Sequence, residues 1–198
     1  MWALVESGTI TKVYMTPQAF KIGDNQYPAN TMTLWSESEL QSIGVYPVTI
    51  DETNLKDKHY YVNTVITYTV SGLTVGGAYG AATAHSMTDT LFTAQNETDG
   101  LGTEGTVKTY GIKANHKLKV NSQCGSILFD TDWMVVRAAE GGTATPSATT
   151  TWRAAVRTKA NAMTTAIGAA ANVDALAALY VYNDATPPVR PLGEFPTL

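Results

Sequence analysis

The stretch Thr149-Thr150-Thr151-Trp152-Arg153-Ala154-Ala155-Val156-Arg157-Thr158-Lys159-Ala160-Asn161-Ala162-Met163-Thr164-Thr165-Ala166-Ile167-Gly168-Ala169-Ala170-Ala171 carries the strongest periodicity in the chain. Trp152, Val156, Met163 and Ile167 are separated by four, seven and four residues, which places them on one stripe of a helix and predicts a buried seam. Asn172 breaks the pattern. A shorter helix over 173–180 then carries Val173, Leu176 and Tyr180 on one side, so the two are expected to fold back as an alanine-rich helical hairpin. Upstream, Gly141-Gly142-Thr143-Ala144-Thr145-Pro146-Ser147 reads as a loop, because glycine frees the backbone and Pro146 stops a preceding helix. Downstream, the prolines of 186–196 exclude helix and central strand and predict an extended tail, with Leu192 and Phe195 spaced as separate apolar anchors.

Toward the N-terminus the period changes from helix to strand. Trp2–Val5 and Thr9–Tyr14 flank a Ser7-Gly8 turn, a second hairpin is expected across Gly23-Asp24-Asn25-Gln26, and a third where Ser71-Gly72 separates the run 60–68 from Leu73-Thr74-Val75. Between them, Ser36 and Glu39 have capping-box spacing and Gly44 supplies a stop, which predicts one short helix before a strand over 45–50. Beyond residue 85 strand signals thin out. The segment 105–128 has mixed helical character, and Asp132–Arg137 reads as a short helix or turn with an acidic cap. The fold class is therefore α+β: a β-hairpin-rich part over 1–85 with one short helix, a helical part over 86–185, and the extended tail over 186–198.

Composition narrows the function. With 44% hydrophobic and 15% charged residues the chain can bury a core. A net charge of -4 is too small and of the wrong sign for a general nucleic-acid binder, and no run approaches membrane-spanning length. The opening residues lack a basic, apolar leader pattern, so synthesis and assembly in a cytoplasm are expected. Cys124 has no second cysteine and reads as a small buried hydrophobe. His59, His85 and His116 lack metal-ligand spacing, no Gly-x-Ser-x-Gly turn occurs, and Asp130 and Asp132 suit a helix cap better than acid–base work. Gly100-x-Gly102-x-x-Gly105 matches a dinucleotide pattern but follows a polar run rather than a buried strand, so a loop is expected. The Asn96-Glu97-Thr98 sequon has no route to glycosylation without secretion. No catalytic residue, metal or cofactor is expected. Lys108, Lys113, Lys117 and Lys119 form the one basic concentration, either a solvated helix face or a contact for an acidic partner.

The opening Met1-Trp2-Ala3-Leu4-Val5-Glu6-Ser7-Gly8, Tyr27-Pro28, and Trp35-Ser36-x-Ser38-Glu39-Leu40-x-x-Ile43-Gly44-Val45-Tyr46-Pro47-Val48 resemble the N-terminal part of a phage protein family associated with tail fibres and their assembly. Thr131-Asp132-Trp133 with Arg137, then Pro146 and Trp152-Arg153-Ala154-Ala155-Val156-Arg157, are similar to the later part of such proteins. The family commonly has Tyr-Arg where this chain has Trp152-Arg153. The resemblance implies a non-enzymatic virion protein of the tail, present in multiple copies in a symmetric assembly, that binds a tail-fibre or baseplate protein as a connector. A transient fibre-assembly chaperone is the alternative. A receptor-binding tip fits less well, since Tyr46, Tyr60, Tyr61 and Tyr68 fall within expected strands. Trp152, Leu192, Phe195 and the four lysines are the candidate contact residues.

Overall fold

Strand β1 (Trp2–Glu6) alternates between two apolar environments, and that alternation organises the first half of the molecule. The computed structural model describes residues 1–198 as two compact units, Met1–Thr83 and Ala84–Leu198. In the first, β1 pairs antiparallel with β2 (Thr9–Tyr14) and with β5 (Val45–Asp51). Ser7 and Gly8 adopt φ of 52° and 79°, the left-handed pair that a tight hairpin turn requires. The short hairpin of β3 (Phe20–Ile22) and β4 (Asn25–Tyr27), and helices α1 (Thr31–Leu34) and α2 (Glu37–Ser42), lie between β2 and β5 in sequence.

After β5 come β6 (Tyr61–Val62), β7 (Ile66–Ser71), β8 (Thr74–Tyr79) and β9 (Thr83–Ala84). The five-stranded sheet has the order β2-β1-β5-β8-β7, with β5 and β8 parallel and the β7–β8 hairpin antiparallel. Its edge strands β2 and β7 approach each other, so the sheet curls. Leu4 points to one side, into a cluster with Tyr14, Phe20, Met32, Leu40 and Val45. Ala3 and Val5 point to the other, where the curled sheet closes over them with Val75. Period-two burial on both faces follows from a strand flanked on both sides, by β2 and β5, within a curled sheet.

Helix α2 shows the expected capping box. The Glu39 amide donates to Ser36 Oγ at 3.3 Å, and the Ser36 amide donates back to Glu39 Oε2 at 2.7 Å. The Ser36 hydroxyl, then its amide, hold the Glu39 carboxyl below its ordinary value. Helix α1 has no side-chain cap and only four residues, which is why no sequence signal marks it.

The second unit opens on an arm: β10 (Thr90–Leu91), α3 (Ala94–Thr98) and β11 (Val107–Thr109), with β10 and β11 paired antiparallel. A Thr93–Asn96 capping box starts α3. Asn96, the sequon asparagine, is thus a capping residue. From Ala78 through Tyr110 no residue is buried.

The core of this unit lies between α4 (Ile112–Phe129) and α6 (Ser147–Ala169). Helix α5 (Asp132–Ala139) and α7 (Val173–Ala178) flank them. The long helix starts right after Pro146, two residues before the periodic stretch at Thr149, and ends at Ala169, two residues before Ala171. Its buried residues are Thr149, Arg153, Val156, Ala160, Met163 and Ile167, at alternating steps of four and three. The predicted seam is therefore correct at Val156, Met163 and Ile167 but not at Trp152, which is half-buried on the flank while Arg153 turns inward. The hairpin expected between α6 and α7 is likewise subordinate: the main packing partner of α6 is α4, and α7 is only six residues long. Asn172 caps α7, accepting a 2.8 Å bond from the Ala175 amide, while Tyr180 lies beyond the helix end.

Candidate protein-interaction site

Arg153 is 8% exposed, and its guanidinium gathers three elements. Nη1 donates to the Leu128 carbonyl at 2.8 Å, near the end of α4, and to Thr131 Oγ1 at 2.5 Å. Nη2 meets Asp132 Oδ1 at 2.6 Å, at the start of α5. The Thr131 hydroxyl in turn donates to the Leu128 carbonyl at 3.0 Å. A buried cation held by a carbonyl, a hydroxyl and a carboxylate avoids the penalty of an unpaired buried charge. The acidic-cap expectation is corrected here: Thr131 occupies the N-cap position without a side-chain cap, Asp132 is the first helical residue, and Asp130 ends α4. The Thr131-Asp132-Trp133 and Trp152-Arg153 motifs, about twenty residues apart in sequence, thus meet through Arg153.

This clamp fixes α5, and α5 buries none of its residues. Trp133 and Val136, three positions apart on one face, are 55% and 54% exposed, and Val135 is also exposed. Arg137 lies over the indole of Trp133 at 4.8 Å, and its Nε donates to the Thr143 carbonyl, so the ring stands braced. An apolar helix face held rigid and left open has the composition of a protein contact. Its sequence is apolar almost all round, which hid which side would remain uncovered.

The residues expected to make contacts divide into two groups. Leu192 is buried at 4% exposure, its amide donating to the Leu179 carbonyl, so it anchors the tail internally and is not an outward anchor. Trp152 Nε1 donates to the Pro196 carbonyl at 2.9 Å, beside half-buried Phe195. The tail is thus laid on α6. Arg190 pairs with Glu194 and lies over Tyr180 and Tyr182, tying the same segment together.

Among the lysines, Lys113 Nζ donates to the Gly168 carbonyl at 2.8 Å, and Lys117 Nζ is placed where a Cβ on Gly168 would meet it at 3.1 Å. Both therefore serve the C-terminal end of α6, where the helix dipole favours cations. Lys119 is exposed, and Lys108 lies over the Phe92 ring. His116 Nδ1 is 2.6 Å from the Tyr180 hydroxyl, and burial followed by the Lys119 charge lowers its pKa. Cys124 is buried and unbridged.

In the first unit, Met1, Trp2, Met32, Trp35, Glu37 and Pro47 line part of a cleft of about 410 Å³ in which Glu37 is the one titratable side chain. The Gly100–Gly105 stretch forms a loop that packs Gly102 against Phe92. No group of three or more His, Cys, Asp or Glu side chains converges in a metal-binding arrangement, and no helix is long and apolar enough to cross a membrane.

No protein-family model matches the chain, and neither a curated protein nor a solved structure was found similar to it.

Proposed function

We propose that this chain is a non-enzymatic protein of a phage tail that connects to a tail-fibre or baseplate component, with α5 as its contact element. The observation that carries the reading is the Arg153 clamp. It joins Thr131-Asp132-Trp133 to Trp152-Arg153, two segments of the later part of the resemblance to tail-fibre-associated proteins, and it holds Trp133 and Val136 outward on a helix none of whose residues is buried. Partner contacts concentrate binding energy in a few rigid aromatic and arginine side chains, and Trp133 braced by Arg137 has that character.

Mass spectrometry of purified virions tests this. A connector is retained in the finished particle at a copy number set by tail symmetry, whereas absence from particles, with presence in infected-cell extracts, would establish the transient chaperone instead. Trp133→Ala is expected to leave the melting temperature within a few degrees of the parent while lowering co-purification with fibre protein at least tenfold.

A further inference from the structure

The chain exposes 12438 Å² of accessible surface, whereas a single compact protein of its 21.2 kDa would expose about 9,100 Å² and two separate compact bodies divided as these units are would expose about 10,900 Å². The surplus, on the order of 1,500 Å² even by the second measure, needs a place to be buried.

Two surfaces of the second unit stand uncovered. The arm from Ala84 to Tyr110 is ordered around a two-stranded ladder without burying one residue, and Leu91, Leu101 and Tyr110 are solvent-exposed. Two short strands and one turn of capped helix do not stabilise themselves in water. The second surface is the side of α4 turned away from α6. There Leu118, Ser122, Gly125 and Phe129 follow one another at steps of four, three and four, all exposed, Phe129 at 72% and Gly125 with open space above it. That is the spacing of a helix seam with room at its centre.

The two surfaces have opposite charge. The arm holds Asp89, Glu97, Asp99 and Glu104 against Lys108, whereas α4 holds no acid: Lys113 and Lys117 are engaged at the end of α6, and exposed Lys119 is the lysine left to flank the outer face. We infer that the arm of one copy of this chain docks on the outer face of α4 of a second copy. A contact between two different patches is heterologous, so each copy both gives an arm and receives one, and closure makes a ring. A standard interface removes about 800 Å² per partner, and a ring member takes part in two, which matches the surplus. Such self-association does not depend on which other protein the chain meets.

Sedimentation equilibrium of the purified full chain tests it. The native protein is expected as a closed oligomer that dissociates as salt rises, because opposite charges face each other. Leu101→Asp on the arm and Phe129→Asp on α4 each remove one face, and each variant alone is expected to be a monomer with unchanged far-UV circular dichroism. Mixed in equal amounts, they retain one good arm and one good α4 face between them, and should form a species of two chains and nothing larger. Lys119→Glu, a milder change at an exposed position, should weaken association about tenfold. A native chain that stays monomeric at its highest soluble concentration overturns the inference. So does an oligomer untouched by either aspartate, or a mixture of the two variants that stays monomeric.

Discussion

Arg153 and Asp132 form one ion pair, yet its two ends sit in different surroundings. The Arg153 side chain is 10% exposed and the Asp132 side chain 52%. Removing the guanidinium takes its charged bonds from the Leu128 carbonyl and the Thr131 hydroxyl, which keep their bond to each other, and leaves the space of a buried side chain, so Arg153→Ala should cost about 2 to 4 kcal/mol in urea denaturation. Asp132→Asn loses a charge that water already screens and should cost less than about 1 kcal/mol. Equal losses would show that the charge pair, and not the carbonyl and hydroxyl contacts, holds the clamp. His116 makes the other residue-level prediction. Burial and Lys119 hold its folded pKa below the ordinary 6.5, so unfolding takes up a proton between the two values. Its contribution is complete above pH 6.5 and is lost as pH falls through the folded value. Melts on either side of that window should show the native protein losing stability on acidification relative to His116→Gln, and parallel curves would remove the histidine from the account.

Strand β8 shows how two adjacent glycines differ once a strand is placed in a sheet. A Cβ on Gly77 would lie 2.7 Å from Ile50 Cδ1 and 2.9 Å from both Ile66 Cγ2 and Tyr68 Cε1. A Cβ on Gly76 would meet only Thr69 Oγ1, at an ordinary 3.7 Å. Gly77→Val should therefore destabilise the first unit by about 1 to 3 kcal/mol through overpacking. Gly76→Val should be neutral or slightly stabilising, since a β-branched residue suits an exposed strand position and glycine does not. Thermal unfolding of the pair checks this, and a similar loss at both sites would mean that backbone freedom, not space, selects glycine in this strand. The neighbouring hairpins obey local rules: Ser7-Gly8, Gly23 and Gly72 supply positive φ where each chain reversal needs it.

At the level of the molecule, the C-terminal segment belongs to the core of the second unit. Leu192 is buried, Pro196 accepts from Trp152, and Arg190 ties the segment to Tyr180 and Glu194. Deleting residues 189–198 should lower stability by about 2 to 5 kcal/mol, as loss of a buried leucine alone would suggest. It should also move the Trp152 fluorescence to longer wavelength as the ring becomes wetter. An unchanged melting temperature and spectrum would show that the tail is not part of the core.

The sequence by itself determined the features governed by neighbours a few residues apart. The α+β class, the three hairpins, the Ser36–Glu39 capping box and the long helix after the Pro146 loop all depend on turn chemistry, capping or periodicity within one segment. Periodicity also placed Val156, Met163 and Ile167 on the inward side of that helix, and tertiary structure decided its first turns, where Arg153 and not Trp152 is buried. Periodicity nominated Trp152, but the polar end of α4 gave buried Arg153 its partners, and the tail arriving at Pro196 gave Trp152 its own. Tertiary packing also chose α4 over α7 as the helix that α6 rests on, buried Leu192, and left Trp133, Phe129 and the arm uncovered. Each of these outcomes rests on groups brought together from distant parts of the chain or on surfaces left without a neighbour, as with Lys113 at Gly168 or Arg153 at Leu128. Such pairings depend on how whole elements pack, because a local pattern fixes the direction of a side chain along its helix but not the surface that will meet it.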